Sequence, residues 1–281
     1  MSKATAEGMP ALTLFQGRTA DRTPAAIAGA QRLAKAITER MGTALTITGT
    51  PRDPLNESGL AQLESARPEL QQLADTLQRQ LNAGQRPVTI LPLCAGALAT
   101  LPVIAQHYPD ACLVWLDAHG DLNTPKGSES GYLGGMVVAA ATGLWDSGLG
   151  SGWRLDQVIL ADGRDLDATE RQLIEHTGFC HLPHENLTPE ALSSAIGDRP
   201  VYVHLDCDLL APGLLPTDYS VAGGPGLEQL HALCHAIGEH ELIGLEIAEL
   251  EEQPDFEMAK AAERLCSALS PLLTKLRRRT L

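Results

Sequence analysis

Short apolar runs alternate along this chain with longer stretches in which Leu, Ala and Ile recur at helical spacing. Pro87–Leu93, Cys112–Leu116, Gln157–Leu160, Pro200–Leu205 and Leu242–Glu246 are apolar on both faces, the pattern of strands covered from both sides. Leu60–Asn82, Pro189–Gly197, Gly226–Gly238 and Phe256–Leu276 instead place apolar residues three and four apart, which predicts helices. Such a βαβ series predicts an α/β fold, a three-layer α/β/α sandwich with a mainly parallel central sheet. A chain of 281 residues can bury one large core, and a single domain spanning 1–281 is expected. One long Gly/Ser-rich connection, Pro125–Gly135, follows the strand that starts at Cys112; a loop of that length beside a strand end is a candidate substrate-facing wall.

In parallel sheets ligands bind beyond the carboxyl ends of the strands, where the connecting loops converge. The polar residues just past each apolar run therefore matter most. Leu113-Val114-Trp115-Leu116 runs straight into Asp117-Ala118-His119-Gly120-Asp121. If extended geometry continues there, side chains 117, 119 and 121 project to one side. Val201–Leu205 runs into Asp206-Cys207-Asp208, and by the same periodicity 206 and 208 share a face. Four carboxylates and one imidazole then gather at the ends of two strands. Uncompensated, the carboxylates repel one another and suffer desolvation, so the site takes up protons or needs cations. An oxygen-rich set with a single imidazole suits Mn²⁺ better than Zn²⁺. Either cluster alone could merely cap the turn that follows it; two together favour a metal site.

Composition narrows the partners. A net charge of −14 supplies no broad basic face, which argues against nucleic acid and against an anionic membrane. The Arg277-Arg278-Arg279 run reads as the cationic complement of a terminal helix dipole. No apolar stretch is long enough to span a bilayer, and Met1–Leu14 lacks the basic-then-apolar order of a signal peptide, so a cytoplasmic protein is expected. The six cysteines form no CxxC pair and imply packing rather than a disulfide framework. His204, inside the strand before Asp206, reads as a satisfied core histidine.

Asp117-Ala118-His119-Gly120-Asp121 and Asp206-Cys207-Asp208 resemble the DAHxD and DxD signatures of the arginase (ureohydrolase) family of arginases, agmatinases and formiminoglutamases, in the same order and at comparable spacing. The resemblance runs from about Pro87 to Glu249, and the whole chain is expected to share it. It implies the same sandwich fold and two Mn²⁺ ions, both bridged by Asp117 and Asp206, with Asp121 completing the first shell and His119 and Asp208 the second. In the mechanism expected of such a site, Asp121 also accepts the nucleophile's proton and passes it on. By the same resemblance, Gly163-Arg164-Asp165-Leu166-Asp167 matches the segment whose last Asp, Asp167, helps hold a substrate's α-amino group. Asn123, Ser128 and Ser130 match loop positions that bind an amino-acid tail, and Glu249 matches the acid that grips a guanidinium. A carboxylate facing a guanidinium makes sense independently, since the bidentate pair orients a planar cation.

The chain departs from the family in two places. Where other members carry a GGDHS-like segment whose His ligates the first ion, this chain has Leu93-Cys94-Ala95-Gly96-Ala97-Leu98. Either the first site is weak or another side chain closes its shell, and Cys94 is the candidate. A thiolate forms readily beside a divalent cation but is softer than Mn²⁺ prefers. Gly134 stands where arginases place a histidine credited with proton transfer, a loss that a substrate with a less basic leaving group is expected to suffer least. Both departures, and the wording of Leu98–Pro102, Gly131–Met136 and Gly143–Gly148, resemble the branch of the family that acts on Nω-hydroxy-L-arginine in D-cycloserine biosynthesis, where a cysteine replaces the histidine ligand. That implies a small guanidino substrate, Nω-hydroxy-L-arginine, hydrolysed to L-ornithine and hydroxyurea by a monomer or homo-oligomer. Hydrolysis of arginine, agmatine or guanidinobutyrate, or a catalytically inactive ligand-binding relative, stay open as alternatives.

Overall fold

The computed structural model describes residues 8–19, 24–53, 57 and 59–277; Met1–Glu7, Arg278 and Arg279 lie outside them. Eight strands pair in one sheet, all parallel: β1 (Pro10–Phe15), β2 (Leu45–Thr48), β3 (Arg86–Ile90), β4 (Cys112–Asp117), β5 (Val158–Asp162), β6 (Cys180–Pro183), β7 (Val201–Asp206) and β8 (Leu242–Ala248). Their order is β2-β1-β3-β8-β7-β4-β5-β6. Helices α1 (Pro24–Met41), α2 (Gly59–Asn82), α3 (Ala97–His107), α4 (Val137–Ala141), α5 (Ala168–Thr177), α6 (Pro189–Ile196), α7 (Leu227–Gly238), α8 (Met258–Ala268) and α9 (Ser270–Arg277) connect or follow them. Among the described residues no helix is long and apolar enough to cross a membrane.

The sheet separates two cores, as the predicted layering requires. Val114, Leu116, Val203 and Leu205 face α1, α7, α8 and α9, whereas Leu113, Trp115 and Tyr202, at alternate positions of the same strands, face α2, α3 and α4. This is why the central strands read as continuous apolar runs. All five strands expected from sequence form. Three others, β1, β2 and β6, escape that pattern for different reasons. β2 and β6 are edge strands, only partly buried, and edges do not need two apolar faces. β1 is wholly buried, but its run is short, follows Pro10 and contains Thr13, which accepts a hydrogen bond from Gln80 Nε2 at 2.7 Å. The single helix expected over Phe256–Leu276 is two, α8 and α9. Pro271 lacks an N–H and clashes with a preceding helical turn, so the helix restarts with Pro271 at its second position.

The carboxyl ends of β3, β8, β7 and β4 are consecutive in the sheet; Cys94 and Glu249 follow β3 and β8, and Asp206 and Asp117 are the last residues of β7 and β4. Helix α1 braces the loop that carries Glu249. Ala25 O accepts the Glu252 N–H at 2.9 Å. One turn further, a Cβ on Gly29 would meet Leu250 O at 1.9 Å, so only glycine lets the helix lie on the backbone just after Glu249. In an open helix interior Gly→Ala stabilises by about 1 kcal/mol; here overpacking costs about 1–3 kcal/mol and reverses the sign. Gly29→Ala is therefore expected to destabilise the protein in urea unfolding and to raise KM through Glu249. A more stable variant contradicts this packing.

Candidate active site

The two acidic clusters are built by the same local device. β4 ends at Asp117, whose Oδ1 accepts the His119 N–H at 2.7 Å; β7 ends at Asp206, whose Oδ1 accepts the Asp208 N–H at 2.7 Å. Each strand-end aspartate folds its own chain into a tight turn, which brings residue i+2 back over the strand. The extended geometry expected through Asp121 does not continue: Asp121 has φ 51°, a left-handed conformation costly without glycine and common where a site over-determines the backbone. Convergence comes from turning, and capping by Asp206 coexists with a ligand-like position.

Ligand-type atoms gather within 4.8 Å of one another in three sets: Asp117, His119 and Asp208; Cys94, Asp117 and Asp121; and Cys94, Asp206 and Glu249. Asp117 and Cys94 each belong to two of them. Asp206 falls with Cys94 and Glu249 rather than with His119 and Asp208. Its Oδ2 is 3.0 Å from Cys94 Sγ. Cys94 is buried, and its backbone N–H donates to Glu249 Oε1 at 2.7 Å. All six cysteines are free thiols. His119 Nδ1 lies 3.1 Å from Asp208 Oδ2 and 3.4 Å from Asp117 Oδ1.

Cys94, His119, Asp121, Asp206, Asp208 and Glu249 line a cavity of about 230 Å³ shared with Asn123, Ser128, Ser130, Asp167 and Glu170, with Asp117 wholly buried beneath them. Its far wall joins the expected residues to Glu170, which the sequence pattern does not single out. Asn123 Nδ2 donates to Asp167 Oδ2 at 2.7 Å, so those two expected residues form one unit. Buried Glu170 accepts the backbone N–H groups of Leu122 and Asp167 at 2.9 and 2.8 Å, tying the loop after β4 to the start of α5. Ser128 and Ser130 accept N–H groups of Gly131 and Tyr132 at 3.0 and 3.2 Å, shaping the loop they stand on. Arg164 spans Asp162 Oδ2 at 2.9 Å and the Asp208 carbonyl at 3.0 Å, fixing the turn that carries Asp208.

Gly134 is not an open space. A Cβ there would stand 2.5 Å from Tyr132 Cε1, so the tyrosine ring occupies the place of any side chain at 134. The Tyr132 hydroxyl donates to Glu249 Oε1 at 3.3 Å, and its ring meets Tyr219 at 5.7 Å, which in turn meets the His119 ring edge-on at 5.6 Å. Tyr132 and Tyr219 thus form an aromatic wall from the acid end of the cavity to the imidazole. A tyrosine in the long loop was the available signal for the first; Tyr219 lies in the loop after β7, with no local pattern to mark it.

Electrostatically the cluster is short of positive charge. None of the cavity-lining residues is Lys or Arg. Burial and mutual repulsion push Asp117, Asp121 and Asp206 up from the usual carboxylate range, and burial pushes Glu249 up to about 8. Burial and the carboxylate of Asp206 push the Cys94 thiol well up. For His119, burial opposes the charged form, but Asp117 and Asp208 outweigh it and raise its pKa. Asp121 Oδ2 and Glu249 Oε2 are buried without a hydrogen-bond partner. Unpaired buried oxygens of this kind mark places where a cation or ligand group belongs.

A family model described as Arginase family matches residues 8–270. The chain belongs to the arginase family. The N(omega)-hydroxy-L-arginine amidinohydrolase of Streptomyces lavendulae is 40% identical over 251 residues, 89% of this chain and 92% of that one. The arginase of Glaciozyma antarctica is 31% identical over 201 residues, 63% of this chain and 58% of that one. The arginase of Entamoeba histolytica, solved in complex with L-ornithine, matches the fold with a TM-score of 0.80 at 21% identity, covering 94% of this chain and 99% of that one. Arginase-like layering is therefore shared across distant sequences.

The raised carboxylates fix the sign of a pH effect. Glu249, shifted from the usual range to about 8, binds more protons in the folded than in the unfolded state between those values. Its contribution is present below the unfolded pKa and lost as pH rises through about 8. Asp117, Asp121 and Asp206 act in the same sense. Metal-free protein is thus expected to melt at progressively lower temperature between about pH 5 and about pH 9, while metal-loaded protein shows little of this slope, because a cation stabilises the ionised forms. Parallel slopes with and without metal would contradict a cation at this site.

Proposed function

We propose that this protein is a manganese-dependent amidinohydrolase that cleaves Nω-hydroxy-L-arginine to L-ornithine and hydroxyurea. The observation that carries the reading is the gathering of buried Asp117, Asp121, Asp206 and Asp208 with half-buried His119, and with buried Cys94 among them. It is supported by near full-length similarity to the Streptomyces lavendulae enzyme. The residues fit a pair of divalent ions: oxygen-rich donors, one imidazole, no Lys or Arg among the cavity-lining residues, and unpartnered buried oxygens on Asp121 and Glu249. Cys94, Asp117, Asp121 and Asp206 would hold the first ion; Asp117, Asp206, His119 and Asp208 the second. When bound, the metal pair makes a water more acidic and stabilises negative charge on the way to product.

The chain's own groups do the rest. Glu249 faces the guanidino group, with its Oε1 already fixed by Cys94 N–H and the Tyr132 hydroxyl and its Oε2 free to accept from the substrate. The Asn123–Asp167 unit, with Ser128 and Ser130, holds the amino-acid end and sets substrate length. Asp121 takes the proton from the attacking water. The water's oxygen stays with the guanidino carbon, the bond from that carbon to the ornithine δ-nitrogen breaks, and a proton ends on that nitrogen. The departing nitrogen is the same for arginine and hydroxyarginine, so leaving-group basicity does not separate them. What differs is the guanidino group, which is less basic when hydroxylated and so meets attack with less positive charge to be lost.

Manganese-reconstituted protein is expected to release hydroxyurea from Nω-hydroxy-L-arginine at least about tenfold faster than urea from L-arginine, a difference of about 1.4 kcal/mol. Exhaustive chelation should abolish both activities. Faster urea release, or turnover that survives chelation, contradicts the assignment. Tyr132→Phe removes one hydrogen bond to Glu249 and is expected to lower kcat/KM for hydroxyarginine by roughly tenfold, in the range of a hydrogen bond to a charged group. Steady-state kinetics showing no change would remove Tyr132 from the site.

A further inference from the structure

Directly behind the ligand-bearing strand ends, one line of cross-strand neighbours traverses four strands. Thr89 on β3 pairs with Glu246 on β8, Glu246 with His204 on β7, and His204 with Trp115 on β4. His204 and Trp115 precede Asp206 and Asp117 by two residues, so they lie on the same faces of their strands. His204 is held on every side that could let it turn. Its Nδ1 is 2.8 Å from Glu246 Oε1, and its ring stacks on Trp115 at 3.5 Å with planes 8° apart. The other oxygen of Glu246 accepts Thr100 Oγ1 at 2.6 Å and the Tyr202 hydroxyl at 3.0 Å. His204, Glu246, Trp115, Thr100 and Tyr202 are all wholly buried.

A buried His–Glu pair is costlier than apolar residues of equal volume. Among the described residues, the ring's remaining hydrogen-bond partner is Cys94, whose Sγ lies 3.1 Å from His204 Nε2. Trp115 meanwhile donates Nε1–H to Asp117 Oδ2 at 2.9 Å. The stacked pair therefore touches two ligand candidates at once, from behind.

We propose that His204 is the positioning residue for Cys94. Clamped by Glu246 and Trp115, it fixes the rotamer of the thiol so that sulfur takes a place in the first metal's shell. A cysteine side chain has one rotatable bond to its sulfur and no shape that selects among three staggered positions; the histidine supplies the selection. Metal-binding side chains generally depend on such outer partners, whose loss costs about 10–100-fold in metal affinity. The inference rests on Cys94 being a metal ligand.

The test titrates the metal-free full-length protein with Co²⁺. Parent, Cys94→Ser, His204→Leu, His204→Gln and Glu246→Gln are compared by near-ultraviolet sulfur-to-cobalt charge-transfer absorption and by the affinity of each of two metal equivalents. The parent should show the band with one equivalent, and Cys94→Ser should lack it. His204→Leu should weaken that equivalent by about 10–100-fold and diminish the band, leaving the other equivalent within a few-fold. His204→Gln, whose amide can reach the Nε2 position, should recover part of both. A folded His204→Leu with parental band and affinities overturns the proposal. Should that variant fail to fold, Glu246→Gln, which keeps shape and volume, carries the test, and a parental spectrum and affinity for it overturn the proposal equally. A parent without the band, or a band that survives Cys94→Ser, instead removes Cys94 as a ligand, and the positioning role falls with it.

Discussion

Repulsion among buried carboxylates governs this molecule. Asp117, Asp121, Asp206, Asp208 and Glu249 are each at most 5% exposed, and the sheet brings them together because parallel strands release their loops at one end. No arrangement of apolar residues could offset such a cluster without positive charge. The rest of the architecture serves to keep the carboxylates in place against that repulsion. Turns at Asp117 and Asp206 fix two of them, Arg164 fixes a third through its carbonyl, and α1 presses on the backbone that follows Glu249. Left-handed backbone at Asp121, Asp162 and Glu249, all just at or after strand ends, shows where the chain is bent against its own preference to do so.

Much of this was legible in the sequence because the relevant signals are local. Central strands advertise themselves by apolar runs, and the acidic clusters by aspartates at the ends of those runs. Edge strands β2 and β6 carry weaker signals, since one face and one edge meet solvent. The location of the site followed from topology alone, but its contours did not. Convergence of Asp117, His119 and Asp121 depends on a turn with positive φ, not on strand periodicity, and nothing in the spacing distinguishes the two.

What could not be read was which distant residues meet. Cys94 and His204 are 110 positions apart, and each alone looks like an ordinary buried side chain. His204 does satisfy its expected place in the core. Its partners, however, give that place a purpose: Glu246 behind and sulfur in front. Likewise Gly134 read as a loss, because the ring that fills the space beside it belongs to Tyr132, two residues away on a loop whose path only the fold defines.

The overlap between Tyr132 and position 134 has a historical consequence. With 2.5 Å between a Cβ at 134 and the ring, the two positions are not independent letters: any side chain at 134 must find the tyrosine already gone or moved. Neighbours that share space are strongly non-additive. A Gly134→His change made while Tyr132 is present must displace that ring from Glu249, and a tyrosine gained at 132 beside a side chain already at 134 must settle elsewhere. The effect of a change at either position thus depends on which residue the other already holds, so the order in which the two change matters.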